Sequence, residues 1–183
     1  MTSFESELQT LTQRQFILPT YSGSAAIVTA LIASGIPSHS EVIMPSICCP
    51  AVLFAIKMAG FHAILADVSQ EDFCMGTEDI MAVMSNNTKA IIAVHAYGRY
   101  CKINEIQELA QQQELFLIED ACLGLGGDIN GVPFGSFGDV SIFSFGYDKI
   151  VDVSGGGALV TNNEDLFEKC KKFLHQNNKY LHI

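Results

Sequence analysis

Lys149 is the residue whose position most invites chemistry. It is the only Lys or Arg between Lys102 and Lys169, in a stretch that carries many carboxylates. A lysine held in an apolar, partly desolvated setting gives up its proton more easily and becomes an amine nucleophile toward carbonyl carbons. An ordinary surface lysine held by Asp148 or Asp152 has the same appearance in a sequence. Asp120 follows the apolar run LFLIE, where a carboxylate either caps the next turn or pairs with a protonated ring nitrogen. The segment Ser22–Ala26 (SGSAA) precedes a helical stretch, Ala25–Ala33. Small residues at a helix start let the backbone approach a phosphate, and Ser24 adds a hydroxyl. A plain serine N-cap looks identical at this level.

Those three signals gain weight from their order. A phosphate-binding helix start, an aspartate at a strand end and a downstream lysine are what a pyridoxal phosphate site needs. The first anchors the phosphate, the second holds the ring nitrogen, and the third forms the Schiff base. His95 and Ser144, also near strand ends, are the remaining polar candidates. Competing chemistries lack their signatures. There is no G-x-x-x-x-G-K-[ST] loop and no G-x-G-x-x-G fingerprint after a strand. The six cysteines include no C-x-x-C pair, only the adjacent Cys48–Cys49, so neither a zinc site nor a disulfide framework is expected.

The elements that must position these residues alternate almost without pause. Strand-like runs are Glu41–Pro45, His62–Val68, Thr88–His95, Leu115–Glu119, Val140–Phe145 and Ala158–Thr161. Between them Cys49–Ala59, Thr77–Met84 and Asn104–Gln113 read as helices, with Gly60 a stop and Thr77 a cap candidate. Asn163–Leu174 reads as a closing amphipathic helix with its lysines late, and the tail after Leu174 is polar. The Gly-rich stretch 124–138 is assigned to turns. This alternation predicts an α/β fold: a wound, mostly parallel sheet with helices on both faces, in one domain over residues 1–183. In such a sheet ligands bind outside the carboxyl ends of the strands.

Composition bounds the rest. A chain of 183 residues, 49% hydrophobic and 16% charged, offsets its ordering entropy by burial, which excludes disorder. A net charge of −10 repels phosphate backbones and anionic lipid, so nucleic acid and membrane surfaces are poor partners. The polar, acidic start MTSFESELQT is no signal peptide, and the apolar stretch from Ile47 to Ile56 is too short to span a bilayer. A reduced, cytoplasmic protein is the expectation.

Several longer runs carry a resemblance: YSGSAA, EVIMPS, VHAYG, IEDA, GVPFGSFGDVSIFSFGYDK and GGALVT. With these the chain resembles the sugar aminotransferases of the DegT/DnrJ/EryC1/StrS family, of the fold-type-I pyridoxal phosphate architecture, from about Tyr21 to the closing helix. The resemblance implies pyridoxal 5'-phosphate as cofactor, with Lys149 as the Schiff-base lysine that also shuttles the proton in transamination. It implies Asp120 as the partner of the pyridine nitrogen, and Ser144 as a phosphate ligand. The family's Ser-Gly-Thr phosphate motif appears as Ser22, Gly23 and Ser24, with the backbone N–H of Ala25 beside them. Two positions depart from the family pattern. Leu123 stands where a glutamine or similar polar residue is usual and offers no hydrogen bond. Cys49 stands where an aromatic often covers the cofactor ring, and a thiol covers less of it. Keeping Lys149 argues against the dehydratase branch, which has histidine there.

The implied reaction moves an amino group from an amino acid, glutamate by expectation, to a ketosugar carried on a nucleotide. Family members run on for about as many residues again, and a homodimer completes each site. The resemblance thus implies a truncated chain lacking the small C-terminal domain, the cofactor floor without the substrate lid. A non-catalytic binding or dimerisation module is the rival expectation, as is half of a two-chain enzyme whose other chain supplies the missing part. Loss of a covering domain would leave an apolar patch bare or buried by oligomerisation.

Overall fold

Strands buried on both faces read as continuous apolar runs, and their alternate residues must feed two separate cores. The computed structural model, which describes residues 3–97 and 99–177, shows this division. Its elements are α1 (Ser3–Thr12), β1 (Phe16–Thr20), α2 (Gly23–Ala33), β2 (Glu41–Pro45), α3 (Pro50–Met58) and β3 (His62–Ala66). They continue with α4 (Thr77–Val83), β4 (Thr88–Val94), α5 (Ile103–Gln112) and β5 (Phe116–Asp120). A short ribbon, β6 (Asp128–Ile129) and β7 (Val132–Pro133), precedes β8 (Val140–Ser144), β9 (Gly157–Thr161) and α6 (Glu164–Asn177).

Seven strands form one sheet in the order β1-β9-β8-β5-β4-β2-β3. Strands β3, β2, β4, β5 and β8 are mutually parallel, and β9 runs antiparallel to both β8 and β1. Ile92, Ile118 and Ile142 face the core under α2, α3 and α6. Their neighbours Ile91, Leu117 and Phe143 face the core under α1, α4 and α5. The predicted wound α/β sheet with helices on both faces is the observed fold.

Helix α2 has so little polar surface because it lies inside. Nine of its eleven residues are buried, and small residues predominate among them. At the other extreme, α5 buries one stripe of Ile103, Ile106, Leu109 and Ala110.

Four details correct the sequence reading. Helix α1 and strand β1 occupy the N-terminal stretch left unassigned, where Pro19 weakens the strand signal. Pro19 is tolerated because β1 is an edge strand, paired with β9 alone. The cap of α4 is Gly76 rather than Thr77: the Gly76 N–H donates to Asp79 Oδ2 at 2.8 Å, and Thr77 is the first helical residue. The Gly-rich stretch holds a two-stranded ribbon as well as turns. Helix α6 extends to Asn177, taking in part of the tail, and residues 178–183 lie outside the described residues.

Candidate active site

Strand order decides where a cleft opens. From β2 the chain crosses through α3 to β3 on one side, and from β4 through α5 to β5 on the other. The two crossovers lie on opposite faces of the sheet, so the loops leaving β2 and β4 diverge at their carboxyl ends. A cavity of about 130 Å³ lies there. Cys48 and Cys49 come to it from the loop after β2, and Val94 to Tyr97 from the end of β4. Asp120, Cys122 and Leu123 enter from the end of β5, and Lys149 from the loop after β8.

Asp120 is the last residue of β5, and register places it level with Val94 on β4 and Ile142 on β8. It is 5% exposed, and its Oδ1 accepts the N–H of Cys122 at 3.1 Å. Lys149 is half-buried. Neither Asp148 nor Asp152 forms an ion pair with it among the described residues. Asp152 instead accepts the N–H of Ser154 at 2.7 Å. The surface-pair reading of Lys149 therefore has no support in the geometry. The Cys122 thiol shares the cavity with both groups and feels both. Burial raises its pKa well above the usual range and Asp120 adds to the rise, while Lys149 draws it down. Burial, reinforced by Asp120, likewise pushes the Cys48 thiol up to about 12. Both thiols are neutral at physiological pH and act as apolar wall.

The start of α2 adjoins this cavity. A Cβ built on Gly23 would lie 3.1 Å from Cys122 Sγ and 3.1 Å from Ser144 Cβ, so the helix start packs tightly against Ser144 of β8, and a side chain there would push its neighbours back by a few tenths of an ångström. Ser22 caps the helix: its Oγ accepts the N–H of Ala25 at 3.0 Å. That N–H, read from the sequence as open to a phosphate, is already engaged. The hydroxyls of Ser24 and Ser144 are half-buried, and neither Oγ has a hydrogen bond among the described residues. Gly157 presses on the same spot from β9, where a Cβ would lie 2.5 Å from Ser22 C and 2.7 Å from Gly23 N. Two free hydroxyls at a helix start, beside a lysine and a buried carboxylate, suit a group that pairs a phosphate with a basic ring nitrogen and a carbonyl.

Beneath the cavity a charged network escapes the sequence reading. Glu119, fully buried, accepts the N–H groups of Gly135 (2.9 Å) and Phe137 (2.9 Å) and the hydroxyl of Ser141 (2.6 Å). It also meets His95 Nε2 at 3.1 Å, and His95 Nδ1 lies 3.5 Å from Cys101 Sγ. Arg14 grips the same turn from outside, donating to the carbonyls of Gly135 at 3.0 Å and Gly138 at 2.9 Å. A carboxylate inside the otherwise apolar run LFLIE was the available signal, since a doubly covered strand admits a charge only with partners.

Of the residues singled out in the sequence, Cys49, Asp120, Leu123 and Lys149 share the cavity. Ser22, Gly23, Ser24 and Ala25 form the adjoining helix start, and Ser144 ends the strand that faces it. Cys48, Cys122, Tyr97 and Gly157 were not anticipated.

The wound sheet superimposes on those of solved aminotransferases. Residues 1–180 match the DegT/DnrJ/EryC1/StrS aminotransferase family, and the chain belongs to it. It is 37% identical over 173 residues to GDP-perosamine synthase of Escherichia coli O157:H7, covering 94% of this chain and 48% of that protein. It is 34% identical over 171 residues to 3-oxo-glucose-6-phosphate:glutamate aminotransferase of Bacillus subtilis strain 168, covering 93% and 38%. Among solved structures, NtdA of Bacillus subtilis with bound cofactor PMP superimposes with a TM-score of 0.87 at 33% identity, covering 94% of this chain and 39% of that one. The chain thus spans less than half the length of these relatives. Pyridoxal phosphate is the cofactor of this family. No described helix is long and apolar enough to cross a membrane.

Proposed function

We propose that this chain is the cofactor-binding large domain of a cytoplasmic, pyridoxal-phosphate-dependent sugar aminotransferase. The observation that carries the proposal is that Lys149 and Asp120 line one cavity, with the Ser24 and Ser144 hydroxyls at the adjoining helix start. Ser24 and Ser144 would hold the phosphate by donating their hydroxyl protons, in the positive field of the α2 N-terminus. Asp120, whose Oδ1 accepts the Cys122 N–H, would accept a hydrogen bond from the protonated ring nitrogen. When bound, the cofactor supplies an electron sink for a carbanion at the carbon that bears the amine. Lys149 Nζ would supply the amine that holds the cofactor's carbonyl carbon, and would then accept and return the proton as base and acid. Leu123 and the Cys48 and Cys122 thiols would offer the ring apolar surface, while Cys49 is exposed to water.

The family names support an amino-acid donor and a sugar acceptor. Glutamate appears in the name of one relative and a GDP-linked sugar in that of another. A nucleotide-linked ketosugar accepting nitrogen from glutamate is the reaction we assign.

The first test is a spectral titration of the purified chain with pyridoxal phosphate, followed by borohydride reduction and peptide mapping. The expected result is a new visible band and a reduced adduct on Lys149, both absent from Lys149→Ala. No band at saturating cofactor would overturn the proposal. A second reading has its own observation: Tyr147, Ile150 and Val153, flanking the lysine, are 82%, 57% and 67% exposed. Bare apolar groups beside a reactive lysine favour a site completed by another surface, from a second copy or a separate chain.

A further inference from the structure

We propose that Asp148 is the positioning residue for Lys149, and that its left-handed backbone rather than its carboxylate turns the lysine into the cofactor cavity. The use of Lys149 rests on the cofactor reading above, whereas its placement is fixed by the loop itself.

The loop between β8 and β9 is bare almost throughout. From Tyr147 to Gly155 every residue is exposed except Lys149, which is half-buried and lines the cavity. Burial energy would choose the reverse, covering Tyr147, Ile150 and Val153 and leaving the ammonium in water. Something local must therefore turn the lysine inward. An ion pair does not: Asp148 is exposed, and its carboxylate makes neither an ion pair nor a hydrogen bond among the described residues.

Backbone bonds pin only the base of the loop. The Phe145 N–H donates to the Gly156 carbonyl at 3.0 Å, and the Phe145 carbonyl accepts the N–H groups of Val153 at 3.0 Å and Gly155 at 3.2 Å. The direction of the tip comes from one turn. The Lys149 N–H donates to the Gly146 carbonyl at 3.3 Å, which closes a four-residue β-turn. Asp148 is third in that turn and has φ 60°, whereas Tyr147, second, is not among the residues of positive φ. Turns with positive φ only at the third position favour Gly or Asn there. Aspartate tolerates the left-handed region better than most residues, and β-branched residues tolerate it worst. A negative φ at this position would open the turn and swing Lys149 outward. Cofactor affinity then falls with the fraction of chains that keep the lysine in the cavity.

Two measurements on Asp148→Gly, Asp148→Asn, Asp148→Ala and Asp148→Val test the proposal. The first needs no cofactor: it is the rate at which acetic anhydride acylates Lys149, read by peptide mapping against the exposed Lys102. The second is the titration with pyridoxal phosphate. Asp148→Gly and Asp148→Asn should match wild type in both. Asp148→Val should acylate faster at Lys149 and bind the cofactor about tenfold more weakly, the size expected of a left-handed penalty. Asp148→Ala should fall between. All four should melt near the wild-type temperature, because the substitution lies at an exposed loop tip.

Asp148→Asn behaving like Asp148→Val would overturn the proposal and assign the role to the carboxylate. Equal acylation and equal cofactor affinity across the series would overturn it outright. A lower melting temperature with neither readout changed would make Asp148 a structural residue only and overturn it too. Acylation rates that follow the series in a chain showing no cofactor band would support the positioning role and overturn the cofactor reading. A cofactor band on Lys149 that is indifferent to all four substitutions would leave the cofactor reading standing and overturn the positioning role alone.

Discussion

Glu119 and Asp120 are adjacent carboxylates at the end of β5, and the pleat sends them to opposite faces with opposite consequences. Asp120 lines the cavity. Glu119 turns inward and spends both oxygens on Gly135, Phe137, Ser141 and His95. Glu119→Ala would leave the buried N–H groups of Gly135 and Phe137 without their acceptor and take a partner from His95 and from Ser141, whose hydroxyl keeps the Phe137 carbonyl. A loss of about 3–5 kcal/mol is expected from breaking a buried charged network by removing one partner. Denaturant unfolding of wild type and variant measures it, and a loss under about 1 kcal/mol would show that water satisfies the turn. Leu123 marks the other lesson at this scale. The residue lines this cavity and a second beside it, yet its side chain can only pack, so in the proposed site orientation of the cofactor ring would fall to Asp120.

At the scale of elements, the start of α2 is held by what its neighbours lack. Gly157 on β9 lies so close to Ser22 and Gly23 that any side chain collides with backbone, which has no rotamer to yield. Gly157→Ala is expected to cost about 1–3 kcal/mol, the usual range for overpacking, and to weaken pyridoxal phosphate binding by displacing the Ser24 hydroxyl. Thermal melts and the cofactor titration measure the two effects separately. Retained cofactor affinity at reduced stability would show that the hydroxyl is not part of the phosphate site.

At the scale of the whole molecule, the exposed groups Tyr147, Ile150 and Val153 border the lysine, and Tyr97 (65% exposed) lies across the cavity mouth. A hydrophobic margin around a reacting group costs solubility unless something covers it. Sedimentation at increasing concentration is therefore expected to show self-association. Replacing Ile150 and Val153 with serine should shift it toward monomer while leaving the fold intact. A wild-type chain that remains monomeric at high concentration would argue instead for a separate covering chain.

Much of this molecule was legible in one dimension because its signals are local. Apolar runs of four to eight residues between turn signals gave β2, β4, β5, β8 and β9 to within a residue or two, since burial on both faces demands such runs wherever they end up. Lys149 stood out as the one basic residue among carboxylates and Asp120 as the charge closing an apolar run, and the spacing from Gly131 to Lys149 carried the family resemblance. Edge strand β1 was hidden by Pro19, a residue excluded from central strands but harmless where one side needs no partner. What needed the folded chain was every relation between distant segments. Two crossovers on opposite faces of the sheet open a cleft at β2 and β4, and they bring Cys48, Asp120 and Lys149 to one cavity. The partners of Glu119 come from β4, the 134–138 turn and β8, none of them close in sequence. Residue types and spacing determined which groups have the chemistry. Strand order and close packing decided which of them meet, because proximity across a sheet depends on register and crossover, which no local pattern encodes.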